Sequence, residues 1–197
     1  MTALGELIVG IADGVAAHRN ELNRLDGVAG DGDLGLTAST AAAALRELVA
    51  SDEFGALAER DAIRRCGREI ASKAPSTGGT LIAFALMAAG KAPVDAGAPP
   101  VARAATYLRA AADTLAARGN VKAGDRTMLD ALLPAVEALE RGGSLADAAA
   151  AADAGARATA SMAPTVGRAA WLADRAKDHE DAGARLIAMA FAAASGR

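Results

Sequence analysis

Aromatic side chains are scarce in this chain: three Phe, one Tyr and one Trp among 197 residues. A β-sandwich or barrel draws on aromatic and β-branched residues, so this poverty argues against an all-β fold. Cysteine is rarer still. Cys66 stands alone and has no partner for an internal disulfide, which fits a reducing compartment. Excess basic charge is also missing, since 21 Lys and Arg face 24 Asp and Glu for a net charge of −3. Without a basic block or interleaved aromatics, nucleic-acid binding is disfavoured. The longest apolar run, Leu81 to Ala89, is too short to cross a bilayer. The start of the chain has neither a basic n-region nor a long apolar h-region. A soluble, cytoplasmic protein without membrane contact is expected.

What the chain has in abundance is alanine, 57 of 197 residues. Alanine is the best helix former, so an all-α domain over residues 1–197 is expected. Apolar residues recur at helical spacing over about 2–18, 36–50, 54–72, 78–90, 101–118, 126–141, 144–161 and 183–195. That makes eight helices. The fourth is apolar nearly all round, which predicts a central position. Ser144 reads as an N-cap and Gly142-Gly143 as a helix stop. Pro134 falls inside the sixth helix. Asp125 reads as the cap of that helix, and Trp171 as a residue packing a loop against the bundle.

Chemistry concentrates where alanine gives way. Between the first two predicted helices runs Leu25-Asp26-Gly27-Val28-Ala29-Gly30-Asp31-Gly32-Asp33-Leu34-Gly35-Leu36-Thr37. Three aspartates within eight residues repel one another, and hard divalent cations with oxygen ligands offset such charge. The surplus charge suits two ions when phosphates join them. Other readings fail on detail. Gly30-x-Gly32-x-x-Gly35 matches a dinucleotide fingerprint, but it follows a helix rather than a strand. A calcium loop starting at Asp31 would need Gly at Leu36 and Glu at Ala42. Three further loops are rich in Gly and polar residues. Ser76-Thr77-Gly78-Gly79 precedes the fourth helix and suits an anion. Gly119 to Met128 includes Thr127, and Arg168 offers a planar fork for phosphate. Asp181-Ala182-Gly183 opens the last helix. His18, His179 and Cys66 lack any zinc-type or catalytic spacing.

Together these segments resemble the nucleotide-binding (L) subunit of dihydroxyacetone kinase, the DhaL or DAK2 domain family. The likeness rests on Asp26-x4-Asp31-x-Asp33 with Gly35, on Arg118-Gly119 with Gly124-Asp125-Arg126-Thr127-Met128-x-Asp130, on Gly167-Arg168-Ala169, and on Asp181-x-Gly183-Ala184, in that order. The resemblance implies an antiparallel eight-helix barrel with the nucleotide site in loops at one end. It implies two Mg²⁺ ions on Asp26, Asp31 and Asp33. ADP or ATP would be surrounded by Leu34, Gly35, Leu36, Thr37, Ser76, Thr77, Gly78, Gly79, Gly119, Thr127, Met128, Arg168, Asp181, Ala182 and Gly183. Arg168 would join the three aspartates as the catalytic set. The implied reaction is phosphoryl transfer to dihydroxyacetone or a related ketose, such as a tetrulose, held on a separate K subunit. A phosphotransferase-system M subunit is the alternative donor partner to ATP, and a homodimer is left open. Two positions depart from the family pattern: Leu34 replaces its common His, and Pro75-Ser76-Thr77-Gly78-Gly79 replaces its Gly-Gly-Ala-Ser-Gly. A nucleotide- and metal-sensing module without turnover is the alternative function.

Overall fold

A computed structural model describes residues 2–196. Its helices are α1 (Ala3–Ala17), α2 (Arg19–Ala29), α3 (Leu34–Val49), α4 (Asp52–Gly55), α5 (Glu59–Lys73), α6 (Thr77–Ala89), α7 (Pro100–Gly119), α8 (Leu129–Glu140), α9 (Leu145–Ala158), α10 (Gly167–Trp171), α11 (Ala173–Ala176) and α12 (Ala182–Ala194). The described residues contain no strand. Contacts between α1 and α3, α3 and α5, and then α5 to α9 in succession, continue from α9 to α12 and back to α1. The helices therefore close a ring of eight staves, as an antiparallel eight-helix barrel requires. No helix among the described residues is long and apolar enough to cross a membrane.

The first stave is a rod broken at His18, where α1 gives way to α2. α3 runs back along it, with Gly35 against Arg19 and Arg46 paired to Asp13. Links then reverse the chain at each step, the longest being 159–181, which carries α10 and α11. The starts of α3, α6, α8 and α12 consequently gather at one end of the ring, beside the ends of α2, α5, α7 and α9. At the opposite end, the Arg60 guanidinium on α5 donates to the Gly90 and Lys91 carbonyls at the close of α6.

Alanine sets how closely the staves approach. Ala112, Ala131, Ala135, Ala148, Ala152, Ala156 and Ala184 are fully buried in the largest cluster, which joins α6 to α9 and α12. Small side chains let backbones meet at short range, where dispersion contacts are dense. Ser144 caps α9 in a capping box with Asp147, as its sequence predicts. Cys66 is buried on α5, and burial pushes its thiol up to about 11, so it stays protonated and unreactive at neutral pH.

Four expectations need correction. α2 is a helix that the sequence pattern did not announce, because only Leu22 and Leu25 on it are buried. α8 starts at Leu129 rather than near 126, and Asp125 does not cap it. Instead the Asp125 carboxylate accepts from the Lys122 N–H, while buried Asp130 reaches back to the N–H groups of Gly124 and Thr127. α6 is one stave among eight, not a central helix. Trp171 does not pack a loop against the bundle, since it is 88% exposed.

Candidate metal and nucleotide site

Asp26 does not lie in the acidic loop but on the last turn of α2, which corrects the sequence reading. From there its Oδ2 accepts three backbone N–H bonds across the loop, from Gly32 (2.9 Å), Asp33 (3.0 Å) and Leu34 (3.2 Å). One carboxylate thus folds the loop that carries the other two. Carboxylate oxygens of Asp26, Asp31 and Asp33 all come within 4.8 Å of one another. Gly32 sits at φ +78°, a left-handed turn that glycine adopts without strain. The donor set is all oxygen and multiply anionic, which fits a hard divalent cation such as Mg²⁺. Asp33 has no hydrogen-bond partner for its carboxylate among the described residues.

Leu34 to Thr37 are not loop residues either, but the first turn of α3. Their amides are largely engaged. Asn23 Oδ1 accepts from the Gly35 N–H (2.7 Å) and the Leu36 N–H (3.2 Å), so α3 is capped by a side chain twelve residues upstream. Asn23 was invisible to the sequence reading, because its partner is not local. Gly35 is packed so tightly that a Cβ there would collide with the Arg19 carbonyl oxygen.

α6 presents the opposite case. Ser76 caps it through the Gly79 N–H (2.9 Å), and Thr80 N–H bonds the Ser76 carbonyl. Among the described residues, Thr77 and Gly78 N–H have no partners at the helix start, where the backbone dipole favours an anion.

Arg168 opens α10 and pairs with Asp31 at 2.8 Å, both side chains largely exposed. A cation thus already touches the acidic cluster. On the far side, Met128 lies against Gly183 at the start of α12, so those two predicted residues share one wall. Asp181 caps α12 through the Ala184 N–H (2.8 Å), and its own N–H donates to Thr159 Oγ1. Burial pushes the Asp181 carboxyl up to about 6, against the opposing pull of the Ala184 amide and Arg126. Thr127 serves the local turn, donating its N–H to Asp130 and accepting from Leu129 N–H. Gly119 ends α7. No hydrogen bond or ion pair among the described residues ties Ser76–Gly79, Gly119 or Ala182 to the aspartates; the ring places them at the same end.

Arg126 is a second residue that sequence reasoning quoted without giving it a role. It is buried at φ +60°, and its guanidinium donates to the carbonyls of Thr159, Ala176 and His179. One side chain therefore ties the α7–α8 loop to two other segments of the site end, after α9 and between α11 and α12.

An acidic cluster beside converging helix starts, on a closed all-α ring, defines a barrel domain with a candidate metal site at one end. Comparison with known proteins gives the same class. The sequence matches the DAK2 domain over residues 28–196, and the chain belongs to that family. It is 37% identical over 187 residues to a D-erythrulose kinase of Mycolicibacterium smegmatis, covering 91% of this chain and 32% of that protein. It is 29% identical over 177 residues to the ADP-binding subunit DhaL of a PEP-dependent dihydroxyacetone kinase of Listeria innocua, covering 90% of this chain and 86% of that one. The crystal structure of the C. freundii dihydroxyacetone kinase with AMP-PNP and Mg²⁺ superposes with a TM-score of 0.80 at 27% identity, over 100% of this chain and 34% of that chain. This chain thus spans about a third of the length of the erythrulose kinase it matches.

Proposed function

We propose that residues 1–197 form one nucleotide- and Mg²⁺-binding domain of a small-ketose kinase. The observation that carries this reading is the convergence of three carboxylates on a loop that Asp26 itself folds. Asp26, Asp31 and Asp33 would hold two Mg²⁺ ions. When bound, that pair supplies charge neutralisation on the β- and γ-phosphate oxygens of ADP or ATP and favours in-line transfer. The chain's own residues position the nucleotide. Thr77 and Gly78 N–H donate to phosphate oxygens, with Ser76 and Gly79 fixing that turn. Arg168 exchanges Asp31 for a phosphate oxygen, and its planar fork suits the new partner. Met128 and Gly183 form an apolar wall for the base, flanked by Asp181, Ala182, Gly119 and Thr127. The first turn of α3, Leu34 to Thr37, lines the phosphate side mainly as a rigid floor, since Asp26 and Asn23 take its amides. No side chain need act as a nucleophile, because positioning and electrostatics carry this kind of transfer.

The acceptor is a small ketose presented by a K-type domain. Erythrulose kinases stand at 33–37% identity and the DhaL subunits at 27–29%, which favours a tetrulose over dihydroxyacetone. ATP is the donor that goes with that class; the alternative is resident ADP rephosphorylated by an M-type partner. A reducing cytoplasm suits the lone buried thiol. Calorimetric titration with Mg-ADP tests the site: D31A/D33A should lose at least about tenfold in affinity, or about 1.4 kcal/mol. Equal affinity in both proteins would overturn the metal reading. Product assays with a K-type domain, erythrulose or dihydroxyacetone, and ATP test the reaction. Tight Mg-ADP binding without any phosphorylated ketose would favour a sensing module instead.

A further inference from the structure

A second cleft lies on the outer flank of α2, facing α11. It is a cavity of about 460 Å³ lined by Asn23, Arg24, Gly27, Val28, Arg175 and His179. No carboxylate lines it, in a chain whose net charge is −3. Four nearby acids are engaged elsewhere, and the exposed Asp174 beside Arg175 does not line the cleft. Glu21 pairs with His18, Asp26 holds the loop amides, Asp31 pairs with Arg168, and Glu180 pairs with Arg185. The exposed Asp178 adjoins His179 in sequence but does not line the cleft. The cations are not neutralised. Arg24 has no ion-pair partner among the described residues, and Arg175 spends one N–H on the Gly27 carbonyl at 3.1 Å, leaving the rest of its fork. The His179 imidazole makes no hydrogen bond; only its backbone does.

We propose that this cleft binds a small phosphate monoester. Two guanidinium forks match tetrahedral oxyanions bidentately, and the His179 ring adds an N–H donor beside them. Asn23 offers an amide for an ester oxygen or a sugar hydroxyl. The cleft is distinct from the acidic loop, although the two share a wall: Asn23 also caps α3, and Gly27 packs behind Gly32. Three clustered carboxylates mark the metal site. The reverse chemistry marks this one, so it needs neither metal nor nucleotide.

The chain has two histidines, which makes the test simple. Histidine side-chain NMR on the full chain, without Mg²⁺ or nucleotide, is followed during titration with inorganic phosphate and with glycerol phosphate. Acetate and potassium chloride at matched ionic strength are the controls. The expected result is a saturable shift of the His179 resonance with both phosphates, none with acetate, and none at His18 with any of them. R24Q and R175Q should each weaken the effect by about tenfold. Loss of saturation, an equal response to acetate, equal shifts at both histidines, or an unchanged response in R24Q and R175Q would each overturn the proposal. Because neither metal nor nucleotide is present, none of these results bears on the kinase reading.

Discussion

A methyl group at position 35 has nowhere to go. Built onto Gly35, it collides with the Arg19 carbonyl and stands 2.7 Å from Asn23 Oδ1. G35A should therefore push α3 off the α1–α2 rod and cost about 2–3 kcal/mol by urea unfolding. Because the same turn carries Asp33, Mg-ADP affinity should fall with it in calorimetry. Asp181 makes a different kind of prediction. Folding raises its carboxyl to about 6, whereas an unfolded aspartate titrates near 3.9. The folded chain holds that proton more tightly, so the group's contribution to stability is full below about pH 4 and is lost as pH rises through about 6. D181N keeps an acceptor for the Ala184 N–H and removes the titration. Its unfolding free energy should decline less between pH 4 and 6 than that of the native chain.

At the scale of elements, α8 and α9 are pressed together at a flaw. Pro134 has no N–H to give the Asp130 carbonyl, one turn earlier in α8. The Asp130 carbonyl stands against Gly155 of α9, where any Cβ would collide with it. G155A should separate the two staves and lower stability by about 1–3 kcal/mol, read as a lower urea midpoint. The eight staves were legible in the sequence because each buries a stripe at helical spacing, as Val101, Ala105, Leu108, Ala112 and Leu115 do on α7. α2 was not, since polar residues cover most of its turns and only Leu22 and Leu25 reach the core. The start of α8 was misread for a reason that spacing hides. Arg126 at φ +60° and Gly124 at φ +90° turn the chain left-handed after Asp125, so the cap is not where the first polar residue stands. The aspartate cluster was legible as a cluster, because charge repulsion is visible in one dimension. The roles of Asn23 and Arg126 were not, because their partners lie 12 to 53 residues away.

At the scale of the molecule, the three anionic aspartates sit on structure that folding has already bought. Ligation should then feed back on global stability by mass action. Thermal unfolding with Mg-ADP at about a hundred times its dissociation constant should gain about 2.7 kcal/mol, and EDTA with ADP should remove the gain. A gain that survives EDTA would mean that the nucleotide binds without metal.

The closed ring has one more consequence. α12 lies along the first stave, with Ala193 beside Gly14, so the seam between last and first helices is packed like any other. In such a circle, neighbourhood does not depend on where the chain is cut. The polypeptide could be opened at the 90–99 loop, on the end away from the aspartates, and joined across the α12–α1 seam without exchanging one stave for another. Chain order and spatial order are separable here, and the acidic site belongs to the second.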